Sequence, residues 1–473
     1  MERINTDICV IGAGAGGLSV AAGAAQLGAR VVMIESNKMG GDCLNYGCIP
    51  SKALITAGQV AYQMRHSSRF GVSGGETQVN WSEVQAHIRG VVEKVAIHDS
   101  QERFEGLGVR VIREVGFFSD SRTVCAGETE ISAKRFVIAT GSYPSVPLIP
   151  GIADTPFFTN ETIFENQSKI GHLIVIGGGP IGLEVAQAVR RLGAQVTVLE
   201  IAKILPNDDL DLVSVVRDQL KTEGIQIKEG VVVKSVSGSI GAVSVKVREA
   251  SNTNTIIGTH LLVATGRRPN LAGLNLESAG IVYSADGIIV DRRQRTSNGR
   301  VFAIGDVVEG WKFTHAASYQ ASLVLQNLLF RLPKKSDYRA FPRVTFTSPE
   351  LAQIGMTLNE AEKTFDQVRV ITQPLGDNDR AQTNHETDGL IKVVTSKRGV
   401  VLGAGIVGAN AGEVIQSWAL PIARKMKIKQ MFDLILPYPT LGEINKRAAG
   451  AFYAPTLFSE RTRALVRFLL KFY

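Results

Sequence analysis

The sequence has few cysteines, few aromatic residues and no long apolar run. Its 473 residues include four cysteines, and Phe, Trp and Tyr together make up 7%. No apolar stretch approaches the roughly 20 residues that a membrane-spanning helix needs. The first residues, Met1 to Asp7, run directly into a predicted strand without the charged and apolar regions of a signal peptide. We therefore expect a cytoplasmic chain, and its length predicts about three domains.

Positive charge is concentrated near the C-terminus. The net charge is +8, and residues 421–473 contain ten Lys or Arg against three acidic residues. No arginine-rich tail or aromatic-interleaved basic platform accompanies this excess, which argues against nucleic acid as a partner.

The last residues, 457–473, are predicted to form an amphipathic basic helix. One face carries Arg463, Arg467 and Lys471, and another carries Leu465, Phe468, Leu469 and Phe472. Such a helix either packs on its own dimer or lies peripherally on an anionic membrane surface. The sequence leaves both alternatives open.

A dinucleotide-binding fingerprint opens the chain. A buried strand over 7–11 leads into a turn with Gly12, Gly14 and Gly17, followed by a helix of small residues and a second strand that ends at Glu35. The glycines permit a tight turn and close approach of a pyrophosphate to the helix N-terminus. Glu35 is placed to accept hydrogen bonds from an adenosine ribose.

The same fingerprint recurs 165 residues later in the sequence. Its turn contains Gly177, Gly179 and Gly182, and its second strand ends at Glu200. Each copy is followed by a strand that ends in Ala-Thr-Gly, with Thr140 and Gly141 after the first and Gly266 after the second. Two full copies with equal spacing predict two bound dinucleotides.

A cysteine pair, Cys43 and Cys48, follows the first copy in a run from Gly40 to Lys52. Four intervening residues allow the two sulfurs to meet, and Pro50 suits the first turn of a helix whose dipole stabilises a thiolate at Cys48. The pair begins eight residues after Glu35, so the first fold is predicted to hold a flavin and the second a nicotinamide nucleotide. No second Cys/His cluster completes a metal site. Cys9 and Cys125 lie in apolar runs and are interpreted as small buried hydrophobes.

A third glycine signal and a polar linker complete the predicted organisation. Gly305 and Asp306 follow a short apolar strand and are predicted to contribute to the flavin site, whereas the residues after the linker at 333–337 alternate strands with helices. We predict an α/β fold with two Rossmann-like domains and a C-terminal α+β dimerisation domain. The predicted segments are an FAD-binding domain with the redox disulfide (1–150), an NAD(P)H-binding domain (151–275), a return to the FAD domain (276–335), the dimerisation domain (336–455) and the basic extension (456–473).

These motifs resemble those of the pyridine nucleotide-disulfide oxidoreductases, the flavoproteins that include dihydrolipoamide dehydrogenase, glutathione reductase and mercuric reductase. The resemblance covers residues 4 to about 452, and its most specific element is the run Gly-Gly-Asp-Cys-Leu-Asn-Tyr-Gly-Cys-Ile-Pro-Ser-Lys. It implies FAD as a cofactor, a head-to-tail homodimer, and an active site that the partner's C-terminal domain completes.

The resemblance also implies roles for individual residues. Cys48 corresponds to the charge-transfer thiolate and Cys43 to the interchange thiol, while Lys52 and Glu184 correspond to an ion pair beside the flavin. The remaining implied flavin contacts are Gly41, Gly116, Thr314 and His315. His315 has the alternative of simply capping its helix.

One position departs from the family pattern. The disulfide reductases of the family carry a catalytic histidine in a His-Pro-Thr segment near the C-terminus, and here Tyr438 stands in its place, with Glu443 retained five residues later. A phenol has a pKa of about 10, so at neutral pH it donates a hydrogen bond but accepts a proton poorly. Tyr438 then either steers a substrate or is an interface residue without a catalytic duty.

The predicted function is that of a flavoprotein disulfide oxidoreductase. Electrons pass from NADH through FAD to the Cys43–Cys48 disulfide, and on to an acceptor that needs little base catalysis: a metal ion, a quinone or a reactive small disulfide. The alternatives are a soluble transhydrogenase or diaphorase that bypasses the cysteines, an authentic dihydrolipoamide dehydrogenase, and an inert nucleotide-binding protein. Glu200 favours NADH over NADPH because a carboxylate repels a 2′-phosphate, although the nearby Lys203 weakens that argument.

Overall fold

The computed structural model describes residues 2–75, 77–250 and 252–472. It divides the chain into two compact units. The first contains everything up to Gly177 together with Arg191–Leu199 and Val232–Ser336, and the second contains Gly178–Arg190, Glu200–Val231 and the residues from Asp337 onward. The predicted domain boundaries stay predictions.

Strands and helices alternate along most of the chain. The strands are, in chain order, β1 (Glu2–Ile11), β2 (Val31–Ile34), β3 (Val109–Ile112), β4 (Gly116–Asp120), β5 (Thr123–Ala126), β6 (Thr129–Ile138), β7 (Ser142–Pro144), β8 (His172–Ile176), β9 (Gln195–Glu200), β10 (Gln226–Glu229), β11 (Val231–Ser239), β12 (Ala242–Glu249), β13 (Asn252–Gly258), β14 (His260–Val263), β15 (Arg267–Pro269), β16 (Tyr283–Ser284), β17 (Gly287–Ile288), β18 (Val301–Ala303), β19 (Pro342–Thr345), β20 (Glu350–Gly355), β21 (Val368–Pro374), β22 (Leu390–Ser396) and β23 (Val401–Gly408). The α-helices are α1 (Ala15–Gln26), α2 (Gly41–Asn45), α3 (Cys48–Arg65), α4 (Trp81–Ala96), α5 (Gln101–Gly106), α6 (Pro180–Arg191), α7 (Leu210–Thr222), α8 (Thr314–Leu329), α9 (Leu358–Thr364), α10 (Asp379–Asn384), α11 (Ala411–Val414), α12 (Ala419–Ala423), α13 (Lys429–Phe432), α14 (Glu443–Leu457) and α15 (Glu460–Leu469). Short 3₁₀ turns lie at Ser67–Phe70, Ile97–Asp99, Ile152–Asp154, Ile163–Glu165, Gly305–Val307, Leu375–Asp377, Ile415–Trp418 and Leu470–Phe472.

The main sheet of the first unit is the nucleotide-binding sheet that the first fingerprint predicts. Its strand order is β3-β2-β1-β6-β5-β4, with β18 beside β6, and β1 pairs in parallel with both β2 and β6. Every residue of β2 is buried, as expected for a parallel strand covered on both faces.

The two faces of this sheet bury different side chains. On one face Ile8 and Val10 pack with α1 and α8, and on the other Cys9 and Ile11 pack with β4, β5 and the loops before β18. Cys9 is fully buried, as predicted, whereas Cys125 is only half-buried because β5 lies next to the edge strand β4.

The first glycine of each nucleotide turn lies directly against the Ala-Thr-Gly segment of its own copy. Gly12 has φ +104°, and a Cβ there would be 2.4 Å from the carbonyl oxygen of Ala139. Gly177 has φ +116°, and its Cβ would be 2.3 Å from the carbonyl oxygen of Ala264. Both positions therefore require glycine, and the two copies share one geometry. In the second copy β8 pairs in parallel with β9 and β14.

The second unit contains the antiparallel sheet β19-β20-β23-β22-β21. Its core surrounds Trp418 and the buried side of α14, and the indole Nε1 of Trp418 donates to Asn445 Oδ1 at 2.8 Å. An antiparallel sheet packed with helices is the α+β arrangement predicted for this region.

The predicted C-terminal helix is present as α15, and Tyr473 lies outside the described residues. Its apolar side chains are exposed: Leu465 by 55%, Phe468 by 55% and Phe472, in the turn that follows, by 73%. In the part of the chain that the structure describes, no helix has the length and apolarity needed to cross a bilayer. The cytoplasmic location and the covering of this helix by a membrane or a dimer partner stay predictions.

The close approach at Gly12 generates a stability prediction. Gly12→Ala should lower the free energy of unfolding by about 2–4 kcal/mol and reduce the bound FAD, because its Cβ overlaps the Ala139 backbone. The matched control is Gly90→Ala in α4, where a Cβ meets nothing within 4 Å, and we expect it to be stabilising by up to about 1 kcal/mol. Thermal unfolding and flavin absorbance measure both. Unchanged values for Gly12→Ala would contradict the described turn.

Candidate active site

The two cysteines of the predicted redox pair lie at adjoining helix ends. Cys43 lies within α2, and Cys48 is the first residue of α3, with Pro50 buried in the first turn as predicted. The Asn45 side chain donates to the carbonyl oxygens of Met39 and Gly41 at 2.9 and 2.8 Å and so holds the loop. The two thiols lie close enough to hydrogen-bond to each other.

The two thiols have opposite acidities. The hydrogen bond from Cys43, helped by Thr314 and the positive charge of Lys52, lowers the pKa of Cys48 to about 6 in spite of its partial burial. The same hydrogen bond, together with burial, raises the pKa of Cys43 well above its ordinary value. At neutral pH Cys48 is therefore a thiolate and Cys43 keeps its proton.

A distant segment of the chain completes the surroundings of Cys48. Thr314 is the first residue of α8, and its Oγ1 lies 3.4 Å from Cys48 Sγ. The neighbouring His315 is exposed, and its ring lies 5.2 Å from that of Phe313. The start of α8 thus lies beside the dithiol, and the flavin contacts implied for Thr314 and His315 stay predictions.

The first nucleotide turn is closed by Glu35. Its Oε2 accepts from the backbone N–H of Ala13 at 2.6 Å, and its Oε1 accepts from that of Asn37 at 2.7 Å. A cavity of about 400 Å³ opens at this turn, and seven predicted residues line it: Gly12, Gly14, Glu35, Gly41, Gly116, Thr140 and Gly141. Gly17 lies behind the turn, where a Cβ would be 1.9 Å from the carbonyl oxygen of Gly12.

These residues fit FAD. Glycines without side chains line the cavity at the start of α1, the Glu35 carboxylate lies where the fingerprint predicts a ribose, and Asp42, next to Cys43, lines the same cavity. The cavity therefore extends from the turn to the dithiol loop, as a flavin site requires.

Arg267 connects the dithiol loop to Asp306, a role that the sequence analysis did not predict. Its guanidinium lies 2.9 Å from Asp42 Oδ1 and 3.7 Å from Asp306 Oδ2, and its side chain is only 12% exposed. Ser142 Oγ accepts from Arg267 Nε and donates to Asp306, both at 2.7 Å. Burial raises the pKa of Asp306, which the Ser142 hydrogen bond and the Arg267 charge oppose. The one available signal was position, since Arg267 follows the Ala-Thr-Gly segment of the second copy.

Gly305, beside Asp306, has a structural role in the same segment. It has φ +75°, and its backbone N–H donates to Gln320 Oε1 at 2.7 Å. This bond ties the predicted third flavin segment to α8.

The second nucleotide turn repeats the carboxylate geometry of the first. Glu200 Oε2 accepts from the backbone N–H of Gly178 at 2.7 Å, and Oε1 accepts from that of Ala202 at 2.9 Å. Lys203 lies 3.5 Å from Glu229. Gly179 directly precedes α6 and Gly182 lies in its first turn, while Gly266, at φ +129°, lies in the first unit.

Glu184 and Lys52 lie on α6 and α3 respectively. Glu184 is 5% exposed, and its Oε1 accepts from the backbone N–H of Phe346 at 2.9 Å. Because Lys52 and Glu184 belong to different units, their ion pair stays a prediction.

Tyr438 is an exposed hydrogen-bond donor. Its hydroxyl donates to Asp379 Oδ2 at 3.0 Å, and this bond raises the pKa of Tyr438 above its ordinary value. Arg447 lies 3.6 Å from Asp379 and 3.5 Å from Glu443. The phenol is therefore an even poorer proton acceptor than free tyrosine, in line with the sequence argument.

Cys43 also lines a second cavity, of about 380 Å³. Most of its wall is apolar and comes from α1 to α5, with Ala15, Leu18, Ala22, Leu44, Ile49, Val95 and Phe104. Asp99, Arg103 and Thr314 are among its polar groups. Cys48 does not line this cavity, so Cys43 is the sulfur that it presents.

Comparison with known proteins shows which family this chain matches. Two family models match: "Pyridine nucleotide-disulphide oxidoreductase" over residues 6–321 and its dimerisation domain over 341–449. A mercuric reductase of Staphylococcus aureus is 32% identical over 449 residues, covering 94% of this chain and 82% of that protein. A dihydrolipoyl dehydrogenase of Geobacillus stearothermophilus is 35% identical over 454 residues, covering 94% and 96%.

Solved structures give the same result. The Cu(II) complex of the HOCl-induced flavoprotein disulfide reductase RclA from Escherichia coli superposes with a TM-score of 0.84 at 27% identity, covering 93% of this chain and 99% of that one. The fold class, the α/β nucleotide-binding region with a dimerisation domain, is thereby confirmed.

The Thr314 contact generates a pH prediction. Thr314→Val removes a hydrogen-bond donor to the Cys48 thiolate, so the pKa of Cys48 should rise from about 6, and less thiolate should be present just above that pH. A pH titration of the thiolate–flavin absorbance in the reduced enzyme measures the midpoint. Ser318→Ala, one turn further along α8, is the control and should leave it unchanged. Equal midpoints for Thr314→Val and the native chain would exclude the contact.

Proposed function

Because the chain belongs to the pyridine nucleotide-disulphide oxidoreductase family, whose members are FAD-dependent enzymes that use pyridine nucleotides, we propose that it is an NADH-dependent reductase that delivers electrons through Cys48 and Cys43 to a thiophilic metal ion. The presentation of Cys43, and not of Cys48, to a small cavity carries the dithiol route of this proposal. The match to the dimerisation domain supports a homodimer.

The first nucleotide turn would hold FAD. Gly12 and Gly14 would allow the pyrophosphate to approach, and Glu35 would accept from the ribose. Gly41, Gly116, Thr140 and Gly141 line the remaining cavity. FAD bound there supplies the two-electron exchange between the nicotinamide and the dithiol. Asp306 is held beside this site by Arg267 and by Ser142, which lines the cavity.

The two sulfurs of the dithiol have different roles. Cys48, as a thiolate at neutral pH, is the inner sulfur that exchanges electrons with the flavin. Cys43 keeps its proton and lies in the wall of the second cavity, so it meets the acceptor. Two electrons leave as the sulfur–sulfur bond forms, and the thiol proton of Cys43 goes to solvent. This reduces one Hg(II) to the metal, or two Cu(II) to Cu(I).

The acceptor's chemistry follows from what the site offers. Fast thiol–disulfide exchange between the dithiol and an organic disulfide substrate needs a general base. Such a base typically raises the rate by about 100- to 10,000-fold. Tyr438 donates to Asp379 and has a raised pKa, so it does not supply one. A thiophilic metal ion binds cysteine sulfur directly. The mercuric reductases and the Cu(II) complex of RclA among the relatives support this choice.

Cys43→Ser tests the dithiol route. Oxidation of NADH with Cu(II) or Hg(II) should fall by about 100-fold or more, because the sulfur that meets the acceptor is lost. Cys125→Ser, in β5, is the control and should retain the rate. Lipoamide, glutathione disulfide and quinones are assayed separately as alternative acceptors.

The other outcomes of this experiment would each favour one of the alternative functions. Metal reduction that survives Cys43→Ser would exclude the dithiol route and favour a diaphorase or transhydrogenase. Faster turnover of lipoamide than of the metals would identify a dihydrolipoamide dehydrogenase. A flavin that neither nicotinamide nucleotide bleaches would indicate an inert protein.

The preference for NADH rests on Glu200. Its carboxylate is fixed beside the second turn by two backbone N–H groups, where a nucleotide 2′-phosphate would meet a negative charge. Lys203 is already engaged by Glu229 and does not offset that charge.

We expect kcat/KM for NADH to exceed that for NADPH by about 100-fold, and Glu200→Gln to reduce the ratio by about tenfold. Glu362→Gln, an exposed position in α9, changes the net charge equally and should leave the ratio unchanged. A native ratio near one would contradict the role of Glu200.

A further inference from the structure

A third cavity lies at the other end of the first nucleotide-binding sheet. It has a volume of about 830 Å³ and is lined where β1 enters the core at Asp7 and Ile8, near the start of β18 at Arg300 and Phe302, and at the C-terminal ends of α1 and α8. Four residues of extended strand, about 13 Å, separate Ile8 from Gly12. The cavity is thus distinct from the proposed FAD and acceptor sites.

The charge in this cavity is strongly unbalanced. Its lining includes one carboxylate, Asp7, and six cationic side chains: Lys134, Arg135, Arg293, Arg295, Arg300 and Arg331. Asp7 is already held by Arg30 at 3.3 Å and Lys134 at 2.8 Å. Arg295 is paired with Asp291 at 2.7 Å.

Four of the five arginines have no acidic partner within the described part of the chain: Arg135, Arg293, Arg300 and Arg331. Arg293 and Arg300 are partly buried, whereas Arg135 and Arg331 are exposed. A guanidinium is always charged and binds phosphate oxygens through several N–H groups at once. The cavity therefore offers unused donors of the kind that bind phosphate.

The negative ends of the two nearby helix dipoles neutralise only a small part of this positive charge. α1 and α8 direct their C-terminal ends towards the cavity, and each end carries a partial charge of about −0.5. Together they offset about one of the five net positive charges. The cavity therefore keeps an excess of positive charge that attracts anions.

The other side of the cavity is apolar. Leu27, Phe302, Leu328, Leu329, Leu332 and Pro333 line it, and Leu27 is 57% and Leu332 42% exposed. We propose that this cavity binds an organic polyphosphate, such as a nucleoside triphosphate, with its phosphates on Arg293, Arg300 and Arg331 and its apolar body against the leucines. The positive charge of the cavity also draws such an anion in from solution.

Isothermal titration of the FAD-loaded protein tests the proposal, with saturating NAD⁺ present to occupy the nicotinamide nucleotide site. The probes are a nucleoside triphosphate and inorganic triphosphate at low ionic strength. We expect the nucleoside triphosphate to bind with a dissociation constant below about 100 μM, the inorganic ion to bind more weakly, and both to weaken as salt is added.

Two triple variants separate this site from general electrostatics. Arg293→Ala with Arg300→Ala and Arg331→Ala should weaken binding by about 100-fold or more. The control removes the same charge from exposed positions in the second unit, Lys363→Ala with Lys397→Ala and Arg398→Ala, and should retain the affinity. Flavin content and thermal unfolding report that both variants are folded.

Three results would overturn the proposal. The first is no binding by the native protein, and the second is equal weakening in the two triple variants. The third is equal affinity for the nucleoside and inorganic triphosphates, because the apolar wall would then have no part in recognition. None of these depends on the acceptor or on the dithiol, so they are distinguishable from a failure of the proposed function.

Discussion

The close approach of two glycine-containing segments sets the geometry of the whole site. Gly40 donates its backbone N–H to the carbonyl oxygen of Ala13 at 2.9 Å, and a Cβ on Gly41 would be 2.7 Å from Gly14 Cα. The dithiol loop therefore rests directly on the first nucleotide turn, with no side chain between them. Whatever the turn binds, Cys43 and Cys48 are held beside it by backbone rather than by flexible side chains.

The remaining parts of the site reach this junction from far along the chain. Thr314 brings the start of α8 to Cys48, and Arg267 joins the dithiol loop to Asp306. Parallel strands make this convergence possible, because their carboxyl ends meet at one edge of the sheet. The amino ends meet at the opposite edge, where the cationic cavity lies. One sheet thus presents two surfaces of different chemistry.

Those parts of the fold and of the candidate site that depend on local sequence patterns could be predicted. Glycine spacing, the strand before it and the carboxylate after it predicted both nucleotide turns, and the structure places Glu35 and Glu200 in matching hydrogen bonds. Arg267 was not predicted, because its partners are more than 30 residues away in the sequence and no local pattern marks them. The cationic cavity was missed for the same reason, since its charges come from segments near 134, 293–300 and 331. Cys125 was judged by its apolar neighbours alone, and its place near a sheet edge depends on strand order.

The two carboxylates that end the nucleotide strands use both of their oxygens within the protein. Each bridges the turn before it and the loop after it through backbone N–H groups. These bonds fix each carboxylate in place before a nucleotide binds. The entropy lost in ordering the side chain is therefore lost on folding and not on nucleotide binding. Nucleotide binding at either turn then requires little rearrangement of the carboxylate that recognises the ribose.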